Sequence, residues 1–198
     1  VTFSTLYCDP PWSYRNKRTG GSLKSGAGQR YPTMTVDELC ALPVAAVLDR
    51  NAVCFLWATM PLLPDALRVL DAWGFTYRTS LFWDKDRLGL GFWFRGQVEV
   101  LLVGTRGKVK PPRIQERNLV KARALAHSEK PEVFRVLAEM AVDSSRLDSG
   151  WLELFARRTT LNLDVRWVQV GFDLGLDVRE WLVEQLPTPP LFAGAEVA

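Results

Sequence analysis

The chain has 198 residues, 47% hydrophobic and 24% charged, with a net charge of +3. That suffices for one cored domain, is too short for two comfortable ones, and excludes a disordered polymer. No apolar run reaches membrane-spanning length and no charged-then-apolar leader is read at the N-terminus. Three cysteines without metal-ligand spacing (Cys8, Cys40, Cys54) point to a reducing cytoplasm. The single histidine, His127, argues against triads and multi-histidine metal sites, and no metal is expected.

In chain order, Phe3 to Cys8 is apolar and reads as a buried strand. It runs into Asp9-Pro10-Pro11-Trp12. Two successive prolines have no amide hydrogen for a sheet, so the strand stops at a rigid corner with a carboxylate before it and an indole after. From Ser13 to Val36 there are five basic residues and no acidic one. Thr35-Val36-Asp37-Glu38 then fits a capping box, with Leu39 and Leu42 following before Pro43 interrupts. Residues 52–58 read as a strand, Pro64 to Trp73 as a helix stopped by Gly74, and 75–85 and 98–104 as two further strands. Thr105 to Arg123 carries seven basic residues against Glu116 alone. Pro131 to Val142 is helical by its apolar spacing, residues 151–157 are a strand, and Arg179 to Leu186 is a helix before a Pro-rich end. One domain over 1–176 is expected, with 177–198 as a C-terminal helix and frayed tail rather than a second domain.

Strands alternating with helices predict an α/β sheet covered on both faces. Ligands in such sheets bind beyond the carboxyl ends of the strands. That rule puts Asp9 and the residues after Phe155 on one rim, with the irregular stretches 13–33, 86–97 and 105–128 as loops over it. Two basic segments on a net-acidic body read as a footprint for a polyanion, and Lys108, Lys110 and Arg113 are candidate phosphate contacts.

The corner, followed in order by "YPTMT", "FLWAT", "LLVGTRGK", "HSEKP" and "LELFARR", resembles the mRNA N6-adenosine methyltransferase family, in its bacterial and phage branch that methylates adenine in DNA. The resemblance runs from about Leu6 to Arg158. It implies a Rossmann-like sheet in permuted motif order, with helices on both faces and S-adenosylmethionine (SAM) as cofactor. The implied catalytic residues are Asp9, Pro10, Pro11 and Trp12. Asp9 and the Pro10 carbonyl would accept the two N–H groups of an adenine amino group, and Trp12 would stack on the base, which must leave any duplex to arrive there. Lys130, in "HSEKP" at a helix start, would hold the methionine carboxylate. Glu153, Leu154, Phe155 and Arg157 would lie under the adenosine half. Tyr31 belongs to a loop over the acceptor base, and Lys85, Arg95 and Glu99 border the substrate pocket. Trp83 and Trp93 are candidates for base stacking or for core.

One segment departs from the family pattern. A Gly-Asn-Glu or Gly-Asn-Gln segment after the last strand is replaced by Gly171-Phe172-Asp173, a weak stand-in for holding the adenosine end. The expected function is therefore SAM-dependent N6-adenine methylation of nucleic acid, DNA ahead of RNA. The alternatives are RNA adenosine N6 or cytosine N4 methylation, or a catalytically silent nucleic-acid-binding subunit of a heterodimer. No membrane partner is expected, and a homodimer or heterodimer stays open.

Overall fold

The computed structural model describes residues 2–13, 32–89, 91, 93–112, 116–123, 129–145, 150–157 and 167–186. They form a sheet whose strands lie in the order β5-β3-β4-β2-β1-β6-β7. β1 (Phe3–Cys8) is flanked by β2 (Leu48–Thr59) and β6 (Gly150–Leu154), parallel to both, and β7 (Trp167–Val170) continues parallel to β6. β4 (Val98–Arg106) runs antiparallel to β2 and to β3 (Thr76–Asp84), while β5 (Leu119–Lys121) pairs parallel with β3. All strands but β4 therefore point the same way.

Alternation along the strands divides the core into two faces. Leu6, Cys8, Cys54, Leu56, Leu102, Leu152 and Leu154 face one layer, which holds Leu39 of α1 (Val36–Cys40), Val69 and Leu70 of α2 (Leu63–Ala72) and Leu182 of α4 (Val178–Glu184). Tyr7, Phe55, Trp57, Leu101 and Trp151 face the other, against Phe134, Ala138 and Val142 of α3 (Glu132–Ser145). Those three α3 residues lie four apart on one stripe. Of the apolar residues that marked this helix in the sequence, Val133, Phe134, Leu137 and Met140, Phe134 enters the core while Val133 and Met140 are exposed. A register shift between Phe3 and Thr5 puts Phe3 on the same face as Leu6 despite odd spacing.

The helix starts follow local chemistry. Thr35 caps α1, its hydroxyl accepting from the Glu38 N–H and the Glu38 carboxylate accepting from the Thr35 N–H. The α2 chain reverses at Gly74, which takes φ +82°. Trp73, completely buried at that end, donates its indole N–H to the Leu39 carbonyl at 2.8 Å and so locks α2 to α1. No helix among the described residues is long and apolar enough to cross a membrane.

Two strands escaped the sequence reading. β5 has three residues and β7 four, too short for a periodic signal of their own. The direction of β4 has a larger consequence. Its carboxyl end lies beside the amino-terminal part of β2, since Arg106 is level with Ala52 and Glu99 with Thr59. The loop after β4 therefore leaves the sheet at the rim away from Asp9. Lys108 is exposed there, its backbone N–H donating to the Asn51 side chain at 2.8 Å. The expected place of Lys108 in a loop above Asp9 is corrected accordingly.

Candidate active site

The corner after β1 is fixed by its own backbone and by one neighbour. The Trp12 N–H donates to the Pro10 carbonyl at 2.8 Å, the Met34 N–H to the Pro11 carbonyl at 2.8 Å and the Ser13 N–H to the Met34 carbonyl at 3.0 Å. Trp12, expected as a stacking face for a base, is instead buried at 6% exposure. Its indole N–H donates to the Trp57 carbonyl at 3.0 Å, which fastens the corner to β2. The Pro10 carbonyl already accepts one hydrogen bond, leaving one lone pair for a ligand.

Charges of alternating sign run along this rim. Lys85 Nζ stands 3.2 Å from Glu99 Oε1, Glu99 Oε2 lies 3.5 Å from Lys130 Nζ, and Lys130 Nζ donates to Asp9 Oδ2 at 2.8 Å. Arg157 approaches the same Asp9 oxygen at 3.9 Å. The Lys130 ammonium also lies over the Trp57 ring, 5.3 Å from its centroid. Burial opposes the charge on Lys130, but Asp9 and Glu99 outweigh it and hold the ammonium above its ordinary range. Lys130 is thus engaged with the corner carboxylate itself, where the sequence reading had reserved it for a cofactor carboxylate. Asp9 Oδ1 has no hydrogen-bond partner among the described residues.

Asp9 lines a cavity of about 430 Å³, a volume within the range of small-ligand sites. Pro11, Pro32, Thr33 and Met34 form one wall, Phe155, Ala156 and Arg157 another, and Phe172, Asp173, Asp177 and Arg179 a third. Phe155 takes φ +63°, a left-handed conformation that a bulky residue adopts only under constraint from its surroundings. It turns the chain out of β6 and over the cavity. Gly171 packs so closely on this turn that a Cβ would stand 2.1 Å from the Ala156 carbonyl oxygen, so glycine is required there. The segment read as a weak stand-in accordingly shares the cavity with Asp9, and α4 closes the same wall through Val178, Arg179 and Glu180, anchored to the core by Leu182. Arg179 was missed as a lining residue because an exposed charge after a short unread strand carries no periodic signal.

Glu153 and Leu154 do not belong to this cavity. Leu154 is completely buried in the core. Glu153 points to the opposite face, beneath α3. Its carboxylate accepts from both terminal nitrogens of Arg135, at 2.8 and 3.0 Å, and from the Gln169 amide at 2.5 Å. Arg135 in turn sits over the rings of Tyr7 and Trp167, at 5.2 and 4.7 Å. Removing one partner of such a buried pair costs about 3–5 kcal/mol. Burial pushes the Tyr7 phenol far above its usual range, so it stays neutral and accepts the Trp57 indole N–H at 2.9 Å. The sequence held a signal for this network: Arg135 adjoins the apolar stripe of α3, where an unpaired cation is untenable.

Trp83 is buried and donates its indole N–H to the Ala122 carbonyl, which makes it core. Arg95 and Trp93 are exposed on the loop between β3 and β4. Lys110 lines a separate cavity of about 750 Å³ on the α3 face with Val53, Phe55, Val103 and Glu116, away from Asp9. Tyr31, Arg113 and His127 lie outside the described residues.

Residues 3–173 match the MT-A70 family model. The chain belongs to the MT-A70 family. It is also 31% identical over 179 residues to the Type II methyltransferase M.MunI of a Mycoplasma species, covering 82% of this chain and 75% of that protein. Membership of this methyltransferase family accounts for the α/β sheet, and the MT-A70 match spans both the Asp9 corner and the Gly171–Asp173 segment.

Proposed function

We propose that the protein is a SAM-dependent methyltransferase acting on the N6 amino group of adenine in nucleic acid, DNA ahead of RNA. The observation that carries the reading is Asp9: one carboxylate oxygen is held by Lys130 at 2.8 Å, the other has no partner among the described residues, and the residue borders a ligand-sized cavity. An aromatic amino group is a poor nucleophile because its lone pair is delocalised into the ring. A carboxylate accepting one of its N–H bonds favours the pyramidal nitrogen and stabilises the positive charge that grows on it during attack. Lys130 orients Asp9, and Trp12 and Trp57 keep the corner rigid. The remaining lone pair of the Pro10 carbonyl is suited to the second N–H.

The cavity suits the cofactor by its volume, by the turn that Phe155 and Gly171 build, and by having cations and carboxylates on its walls. Phe155, Arg157 and Asp173 would hold the cofactor, with Lys130 at the border between it and Asp9. When bound, SAM supplies an electrophilic methyl group. Resemblance to a Type II methyltransferase favours DNA as the acceptor. The deciding experiment is transfer of radiolabelled methyl from SAM to DNA and to RNA, followed by digestion to nucleosides. Label in N6-methyldeoxyadenosine is expected. Label in cytosine N4, or in RNA alone, would replace this reading with another.

A further inference from the structure

The loop between β3 and β4 presents two aromatic rings to solvent, with Trp93 at 85% and Phe94 at 88% exposure. Each such side chain carries roughly 150–250 Å² of surface, so the pair leaves an unusual amount of apolar area open on a small domain. The loop is built to hold them out. At its foot, the Lys85 N–H donates to the Gln97 carbonyl at 3.1 Å and the Gln97 amide to Asp84 at 2.7 Å. Higher up, the Gly89 N–H donates to the Gly96 carbonyl at 2.7 Å. At the tip, a Cβ on Gly91 would stand 1.7 Å from the Phe94 carbonyl oxygen, so the turn closes only around glycine.

Position and charge indicate what the tip meets. β3 ends on the same rim as β1, and Lys85 at the loop's foot joins the chain of charges that ends on Asp9. The loop's acidic groups are engaged within the fold: Asp86 pairs with Lys121 at 2.8 Å and Asp84 accepts from Gln97 and the Asp86 N–H. Arg87 and Arg95 are exposed and have no ion-pair partner among the described residues. A partner offering flat π faces flanked by negative charge fits this tip.

We infer that Trp93, with Phe94 and Arg95, is a nucleic-acid contact that stacks on bases beside the one delivered to Asp9. The inference rests on the proposed methyltransferase reading and adds to it a substrate-positioning element outside the cavity. Base–aromatic stacking tolerates sequence, and an arginine beside the ring serves the backbone. A second copy of the chain is the rival occupant.

The test uses the full chain and a fluorescein-labelled mixed-sequence oligodeoxynucleotide, as single strand and as duplex. Trp93 is exposed, so W93A leaves the fold intact. Its affinity for the single strand should fall roughly five- to 150-fold, the span measured for loss of one stacked base. W93Y should recover most of that loss. SAM affinity, read by calorimetry without nucleic acid, should not change. A wild type that binds while W93A binds equally tightly overturns this inference alone. So does a concentration-dependent dimer that W93A dissolves. A wild type that binds neither strand form overturns the inference together with the reading beneath it.

Discussion

Both rims of the sheet are basic, yet they are organised differently. At the carboxyl rim Lys85, Lys130 and Arg157 each stand against Glu99 or Asp9, and a cavity opens beside them. At the amino rim Arg106 donates to the Ala45 carbonyl and Lys108 is held through its backbone, while neither side chain forms an ion pair among the described residues. In the sequence Arg106 and Lys108 stand in a basic run, while Lys85, Lys130 and Arg157 lie far apart and the two lysines adjoin acidic residues. Strand direction separates them. Cations become part of a site when the topology brings them to a half-buried carboxylate; elsewhere they remain solvated surface.

The comparison breaks most directly at Asp9. Asp9→Ala should lower methyl transfer at least about a hundredfold, because the group facing the developing charge is gone. The fold should survive, since Trp12, Met34 and the two prolines make the corner. Near-normal turnover in a folded variant would remove the carboxyl rim's claim to the chemistry.

Lys130→Ala comes next. A lysine serving the cofactor alone would raise its apparent KM and leave kcat untouched. Because Nζ also bonds Asp9, kcat at saturating cofactor should fall as well, by roughly ten- to 150-fold for a charge-assisted bond worth about 1.5–3 kcal/mol. Lys130→Arg should recover part of it. Steady-state kinetics at varied SAM separates the two parameters.

Salt dependence sharpens the contrast between the rims. Arg95→Ala should flatten the slope of log affinity against log salt by about 0.9, one phosphate contact on duplex DNA. Lys108→Ala should leave the slope unchanged, and an equal change from both would mean that nucleic acid wraps to the far rim.

The smallest effect concerns the wall of the cavity. The Glu38 carboxyl is held below its ordinary value of 4.5, first by the Thr35 backbone N–H. A carboxyl depressed in the folded state stabilises above its unfolded pKa and loses that contribution as pH falls through the folded one. Melting curves of wild type and Glu38→Gln should differ by a constant amount down to about pH 4.5 and converge below it.

The sequence announced the parts of this molecule that rest on local chemistry. The capping box at Thr35, the stop at Gly74 and the proline corner after β1 each act within a few residues, and each stands where the sequence placed it. Long-range facts were less accessible. Nothing within "LELFARR" says that Glu153 turns under α3 to meet Arg135 while Phe155, two residues on, turns over the cavity. That division follows from strand alternation and from the φ of one residue. Likewise, the antiparallel course of β4 depends on its pairing with β2 and β3, and it moved Lys108 from one rim to the other.

That same reversal makes the β3–β4 connection a cassette. The chain leaves the sheet at Lys85 and re-enters at Gln97 through a hydrogen bond of 3.1 Å, so both feet stand at one end of the sheet. Lengthening a loop between fixed feet is inexpensive, about 0.6 kcal/mol for each doubling. Residues 86–96 can therefore be exchanged as a block, provided Lys85, Gln97 and Glu99 are kept, without displacing a strand or the charges that reach Asp9. Chimaeras carrying another member's block should inherit that member's affinity for single-stranded nucleic acid while keeping this chain's reaction.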